Sequence, residues 1–169
     1  MRIAARDLRW AELATTWPAE VIVNRVRAIH SDGLVAEEDR AHLEQTLREI
    51  LGGTIEETGA AEGLATKLPL DQVDNIVFRD KSFCCTGQFI FGTRTACEKA
   101  IVERGGSVCD GVRVDLGYLV IGMMATHDWA HSTFGRKIEK AVEYRNKGRA
   151  IYIVGEEQWT KCLGSCPPI

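Results

Sequence analysis

Ser82-Phe83-Cys84-Cys85-Thr86-Gly87 is the stretch on which the fold turns. Phe83 to Thr86 reads as a short apolar strand that Gly87 closes in a turn. A helix follows with Ala100 and Ile101 turned inward, until Arg104 and the stop signal Gly105-Gly106. Ser107-Val108-Cys109 reads as a second short strand. Tyr118-Leu119-Val120-Ile121, ahead of Gly122, reads as a third; it is continuously apolar, as strands buried on both faces are, and so belongs at the centre of a sheet. Gly135 to Lys147 has a helical period with Ile138, Ala141 and Val142 inward, stopped by Gly148. Ala150 to Val154 supplies a fourth strand, and Glu156 to Leu163 a last helix carrying Trp159. The order βαββαβα, with right-handed crossovers between parallel strands, predicts an α/β fold: a small four-stranded sheet covered by helices on both faces.

The chain ahead of this unit reads differently. Pro18 suits a first helical position, and Ile22, Val26 and Ile29 repeat on one helix face. After Ser31-Asp32-Gly33 a second helix begins near Ala36, puts Leu43, Leu47, Ile50 and Leu51 on one stripe, and stops at Gly52-Gly53. A third short helix is expected from Ile3 to Leu13. The division predicted is a helical hairpin segment over 1–53, a linker over 54–77 with scattered acids and glycines, and the α/β domain over 78–165. The linker ends in Lys67-Leu68-Pro69-Leu70-Asp71, an extended segment lying along a neighbouring unit. A calcium loop counted back from Gly33 would begin at Ala28 and have His30 third, leaving only Asp32 and Asp39 as carboxylates, so helix termination and capping explain that turn better.

At 169 residues and 45% apolar composition the chain has the size and balance of a globular protein of one domain with an appendage. Residues 1–80 carry 9 Lys and Arg against 15 Asp and Glu, a net of −6, whereas residues 81–169 carry 12 against 9, a net of +3. The second part is therefore the candidate for anionic ligands. Between Arg136 and Arg149 six bases face two acids. The six cysteines form no C-x-x-C pair and no tetrahedral zinc spacing, so buried thiols in a reducing compartment are expected, with no metal and no cofactor. His127 and His131 have i, i+4 spacing, but no third ligand stands near them in sequence. No apolar run is long enough to span a membrane and the first residues lack a signal peptide's apolar stretch, which predicts a cytoplasmic protein.

Thr86-Gly87 after the first strand, Gly105-Gly106 after the first helix, Tyr118-Leu119-Val120 in the third strand, Lys137 opening the second helix and Trp159 in the last together resemble the BRCT family. The match runs from about Phe78 to Leu163 and is most similar to the BRCT modules of bacterial NAD-dependent DNA ligases and of the replication factor C large subunit. The resemblance implies a bacterial, nucleoid-associated recognition module of DNA replication and repair, with strand order 2-1-3-4 and no catalysis of its own. It implies a phosphate site made by Thr86, the backbone N–H of Gly87 and Lys137, joined by Arg94 as in the replication factor C type. Arg113 departs from the pattern, standing where the family often has a small hydroxyl residue.

The same residues make chemical sense without the family. Ligands of open parallel sheets gather beyond the carboxyl ends of the strands, where helices begin with free N–H groups and positive dipole ends. Thr86 stands at such an end, Gly87 has no side chain to bar an oxygen from its N–H, and Thr93 or Thr95 can cap the next helix beside Arg94. Arg136 and Lys140 extend the basic face around Lys137. Singly, each residue has a plain structural reading: a satisfied turn, a positive φ, a solvated base. Gly105, Gly106 and Trp159 read as structural, the first two as a helix stop and Trp159 as core. The expected function is non-enzymatic binding of DNA at a 5′-phosphorylated end or nick. The alternative is a protein-interaction module, meeting a phosphoprotein or a further copy of itself. No K-x-D-G nucleotidyl-transfer motif, P-loop or paired catalytic carboxylates argue for an enzyme.

Overall fold

The computed structural model describes residues 14–32, 37–52, 68–125 and 133–165. The expected helix Ile3–Leu13, the glycine of the Asp-Gly turn, most of the linker and the His127/His131 pair lie outside the described residues. Two helices come first, α1 (Ala19–Asp32) and α2 (Glu37–Gly52). The α/β unit then runs β1 (Ser82–Thr86), α3 (Arg94–Val102), β2 (Ser107–Val108), β3 (Tyr118–Ile121), a 3-10 turn (Met123–Ala125), α4 (Thr133–Asn146), β4 (Tyr152–Gly155) and α5 (Glu156–Ser165). Among the described residues no helix is long and apolar enough to cross a membrane.

The strands form one parallel sheet in the order β2-β1-β3-β4. All four residues of β3 are buried, as expected of an apolar strand between two neighbours. Alternation along β1 sends its side chains to two separate cores. Phe83 and Cys85 join Val120 and Val154 under α3 and α5, where Ile101, Trp159 and Leu163 close the layer. Cys84 joins Leu119, Ile121 and Ile153 on the opposite face, under Ile138 and Ala141 of α4. The register Phe83↔Tyr118↔Tyr152 stacks three rings across the sheet, with centroids 4.9 and 5.5 Å apart, and Phe78 adds a fourth at 5.3 Å from Phe83. Such cross-strand aromatic pairs fix the register that composition leaves open.

Several boundaries shift. The segment 54–77 is not linker to its end, because Ile76 is only 2% exposed in the α3/α5 core, beside Phe78 at the expected start of the domain. Asp71 lies along β4, accepting from the Ile153 amide at 2.8 Å and from Arg145 at 2.8 and 3.0 Å, and the Asp71 amide donates to the Ile153 carbonyl. The extended segment thus acts as an additional edge for β4. Ile22 and Val26 of α1 and Leu43, Leu47 and Ile50 of α2 are only half-buried, and among the described side chains of the two helices Thr46 alone is fully buried.

Candidate functional site

The carboxyl ends of β1 and β3 are laced together by short polar contacts. The Gly122 amide donates to the Thr86 carbonyl (2.9 Å) and the Met124 amide to the Gln88 carbonyl (3.2 Å). The approach is so close that a Cβ on Gly122 would stand 2.1 Å from the Gln88 oxygen. Only glycine fits there, the usual meaning of a glycine where two backbones meet. Gly87, exposed at the tip, takes a φ of 84°, a conformation that L side chains rarely adopt.

Thr86 is 5% exposed, and its hydroxyl makes no hydrogen bond among the described residues. Alternation places it on the face of Cys84, the face that α4 covers. Lys137 lies on α4 and is half-exposed, with no carboxylate partner among the described residues. Its charge reaches β1: burial pushes the Cys84 thiol up from its ordinary value, and Lys137 is the strongest influence opposing that rise, followed by Arg94 after the neighbouring Cys109 thiol. Burial likewise pushes Cys85 up to about 12, with Arg94 and Lys137 again opposing. Both charges are therefore felt at Cys84 and Cys85 from different elements, α4 and the start of α3.

Arg94 is the first residue of α3, whose cap is Thr93: the Thr93 hydroxyl accepts from the Ala96 amide at 3.2 Å. Of the two threonines open as caps, the structure selects Thr93. Arg94 is not idle. It donates to Glu98 at 2.8 Å and to Asp110, at the exit of β2, at 3.3 Å. The Asp110 side chain is fully exposed, so solvent or an incoming anion competes with it freely.

Lys137 does not open its helix. α4 starts at Thr133, two residues before the expected Gly135, so Lys137 stands in the second turn and only its side chain can serve an anion. Arg136 and Lys140 are exposed on the same helix, and Lys140 sits 5.7 Å from the centre of the Tyr144 ring. The basic run is less free than its count: Arg145 is held by Asp71 and Lys147 by Glu143. Of the bases left without a carboxylate partner among the described residues, Arg136, Lys137 and Lys140 stand close together on α4, and Arg149 follows its carboxyl end. Gly148, with φ 81°, ends α4 with bonds from its own amide to Arg145 and from the Arg149 amide to Tyr144.

The structural residues have clear surroundings. Gly105 (φ 79°) and Gly106 end α3 with bonds to the Val102 and Ile101 carbonyls, and a Cβ on Gly106 would meet Ile101 at 2.7 Å. Trp159 is wholly buried, edge-on to Phe89 (6.0 Å) and Phe91 (5.0 Å), with its indole N–H unpartnered. Arg113 is exposed and paired loosely with Asp115 at 3.5 Å. Among the described residues no cluster of His, Cys, Asp and Glu is arranged to hold a metal ion.

Sequence reasoning missed Glu156. This first residue of α5 is 2% exposed, and its carboxylate accepts from the Phe91 amide (2.7 Å) and the Met123 amide (2.8 Å). It thereby joins the β1–α3 loop to the segment after β3. A glutamate opening a helix is ordinarily credited to the dipole, and Glu157 beside it, exposed and paired with Lys161, plays that part. Arg25 was also missed. From α1 it donates to the Ile90 carbonyl (3.3 Å) and the Asp39 carbonyl (3.0 Å), and stands 3.1 Å from His42 Nδ1. No protein-family model and no curated protein matches the chain.

Proposed function

We propose that residues 68–165 form a BRCT-like module that recognises a phosphate group on DNA, at a 5′-phosphorylated end or nick, in replication or repair, without a catalytic step of its own. The observation that supports this reading is a buried Thr86 and a positive-φ Gly87 at the carboxyl end of β1, with Arg94 opening α3 just beyond the loop and the charges of Arg94 and Lys137 both felt at Cys84 and Cys85 of the same strand. Support also comes from the parallel order β2-β1-β3-β4 with α4 alone on one face. In this reading the Thr86 hydroxyl and Gly87 amide donate to phosphate oxygens, Lys137 supplies a point charge, and Arg94 leaves Asp110 for a bidentate grip. Arg136 and Lys140 lie along the adjoining strand of nucleic acid. The setting is the bacterial cytoplasm, at the nucleoid.

The test is a titration of duplex DNA with and without a 5′-phosphate in rising salt. The phosphorylated end should bind more tightly, and its log affinity should fall linearly with log salt. Equal affinity for both ends refutes the reading. A second reading, a protein-interaction module, draws on the cleft of 780 Å³ between α1 and the α3/α5 face, lined by Trp17, Val21, Phe91, Ala100 and Leu163. Charged residues of both signs also line it, among them Arg25, Asp39, Lys99 and Glu103, so binding there is told apart by its indifference to a 5′-phosphate.

A further inference from the structure

The segment after β1 is held from two sides by groups that touch no ligand in the reading above. Beneath it, Glu156 Oε1 accepts from the Phe91 amide and Oε2 accepts from the Met123 amide. Above it, Arg25 holds the Ile90 carbonyl. The peptide unit between Ile90 and Phe91 is therefore held at both its C=O and its N–H. The tethered loop runs from Gly87 to Arg94, both assigned to the anion site, and the tethered partner segment follows Gly122, which bonds the Thr86 carbonyl. A carboxylate 2% exposed whose two oxygens both face backbone donors is built to work ionised.

We propose that Glu156 is a positioning residue for the anion site: its ionised carboxylate ties the β1–α3 loop to the segment after β3 and so sets the spacing of Thr86, Gly87 and Arg94. The inference rests on the anion-site reading. Its consequence is a pH dependence of affinity that belongs to the protein. Burial raises the Glu156 carboxyl to about 7, while the Met123, Phe91 and Ile90 amides and the Arg25 charge oppose the rise. Cys97 of α3 also senses this carboxylate, and burial keeps that thiol neutral. Behind Arg25 stand Asp39 and His42; burial and the Arg25 charge hold His42 below its ordinary value, so it adds no positive charge near neutrality. Protonation of Glu156 puts an O–H against a backbone N–H and loosens one loop from the other.

The experiment compares wild type, Glu156→Gln and Glu156→Asp for binding of a duplex with a 5′-phosphorylated end, at about pH 8 and about pH 5.5, either side of the titration near 7. Amide hydrogen exchange of residues 87–92 and 123–125 is followed without DNA. At the higher pH, Glu156→Gln should bind roughly tenfold more weakly and exchange faster in both segments, as loss of a charge-assisted hydrogen bond implies. At the lower pH the ratio should approach one, because wild type is itself neutral there. The phosphate's own titration cancels in the ratio. Glu156→Asp, charged but one methylene short, should recover part of the affinity and of the protection. A Gln variant that matches wild type at both pH values, or is weaker by a constant factor, overturns the role of Glu156 alone. A wild type indifferent to the 5′-phosphate overturns the anion-site reading, and the exchange data then report the clamp separately. Should Glu156→Gln fail to fold, Glu156→Asp together with the wild-type exchange profile across the same pH range decides the matter.

Discussion

Gly122→Ala adds a single methyl group and should be among the most damaging small changes to this domain. The new Cβ would stand 2.1 Å from the Gln88 oxygen, 2.6 Å from its carbonyl carbon and 3.0 Å from Phe89 Cδ2. The first two obstacles are backbone, so no rotamer change relieves them. The β1–α3 loop must retreat by an ångström or more, which breaks the bonds from the Gly122 and Met124 amides to the Thr86 and Gln88 carbonyls. Two such bonds at about 0.5–1.5 kcal/mol each, with overpacking of about 1–3 kcal/mol, give a loss of about 2–6 kcal/mol. Urea unfolding followed by tryptophan fluorescence reads it as a lower midpoint at unchanged slope. Gly111→Ala is the control, since nothing lies within 4 Å of its Cβ. A Gly122→Ala midpoint equal to that of Gly111→Ala would refute the close approach of the two loops.

Asp110→Asn should release Arg94 from an exposed partner and tighten binding of a 5′-phosphorylated end, within the ~0.2–1 kcal/mol that exposed ion pairs command; titration calorimetry showing weaker binding would count against Arg94 as a ligand. Trp159→Ala should cost about 3–5 kcal/mol in thermal or urea unfolding, and Trp159→Phe much less, because the indole N–H it removes has no partner to lose; equal losses would contradict the packing of α5. Glu156 should make stability depend on pH. A carboxyl raised from 4.5 to about 7 favours the folded state most below its unfolded value, so wild type should lose roughly 3 kcal/mol relative to Glu156→Gln between about pH 4.5 and about pH 7 and no more above, read from melting temperatures. A pH-independent difference between the two would contradict the burial of the charge. The stability lost is the counterpart of the ionised clamp that the binding site requires.

The sheet was legible because its elements are short and unambiguous. Tyr118–Ile121 is apolar throughout, and Gly105 and Gly148 mark helix ends that do take positive φ. What escaped was long-range pairing. Arg145 counted as one more base of α4 until the fold brought Asp71, 74 residues away in sequence, against it. Ile76 sat in a stretch whose glycines, acids and proline read as linker, yet its side chain joins the core that holds Phe83. Glu156 and Glu157 are indistinguishable by local rule, and only the fold buries one and exposes the other. Gly122 did carry a signal, a glycine directly after a fully buried strand, which is where close backbone approach is common. Of the candidate site, Thr86, Gly87 and Arg94 were placed at the ends of their elements by sequence alone, whereas Lys137 was set at a helix start that lies four residues earlier.

The central claim is that the end of β1 holds a phosphate specifically, and a double-mutant cycle tests it most directly. Wild type and Lys137→Ala are each titrated with the same duplex carrying or lacking a 5′-phosphate. Lys137→Ala should weaken the phosphorylated complex by about 1–3 kcal/mol and leave the unphosphorylated one nearly unchanged, so that the coupling between side chain and phosphate accounts for the loss. An equal loss for both ends, with a coupling of zero, would contradict the site and leave Lys137 as one charge among others on a basic helix.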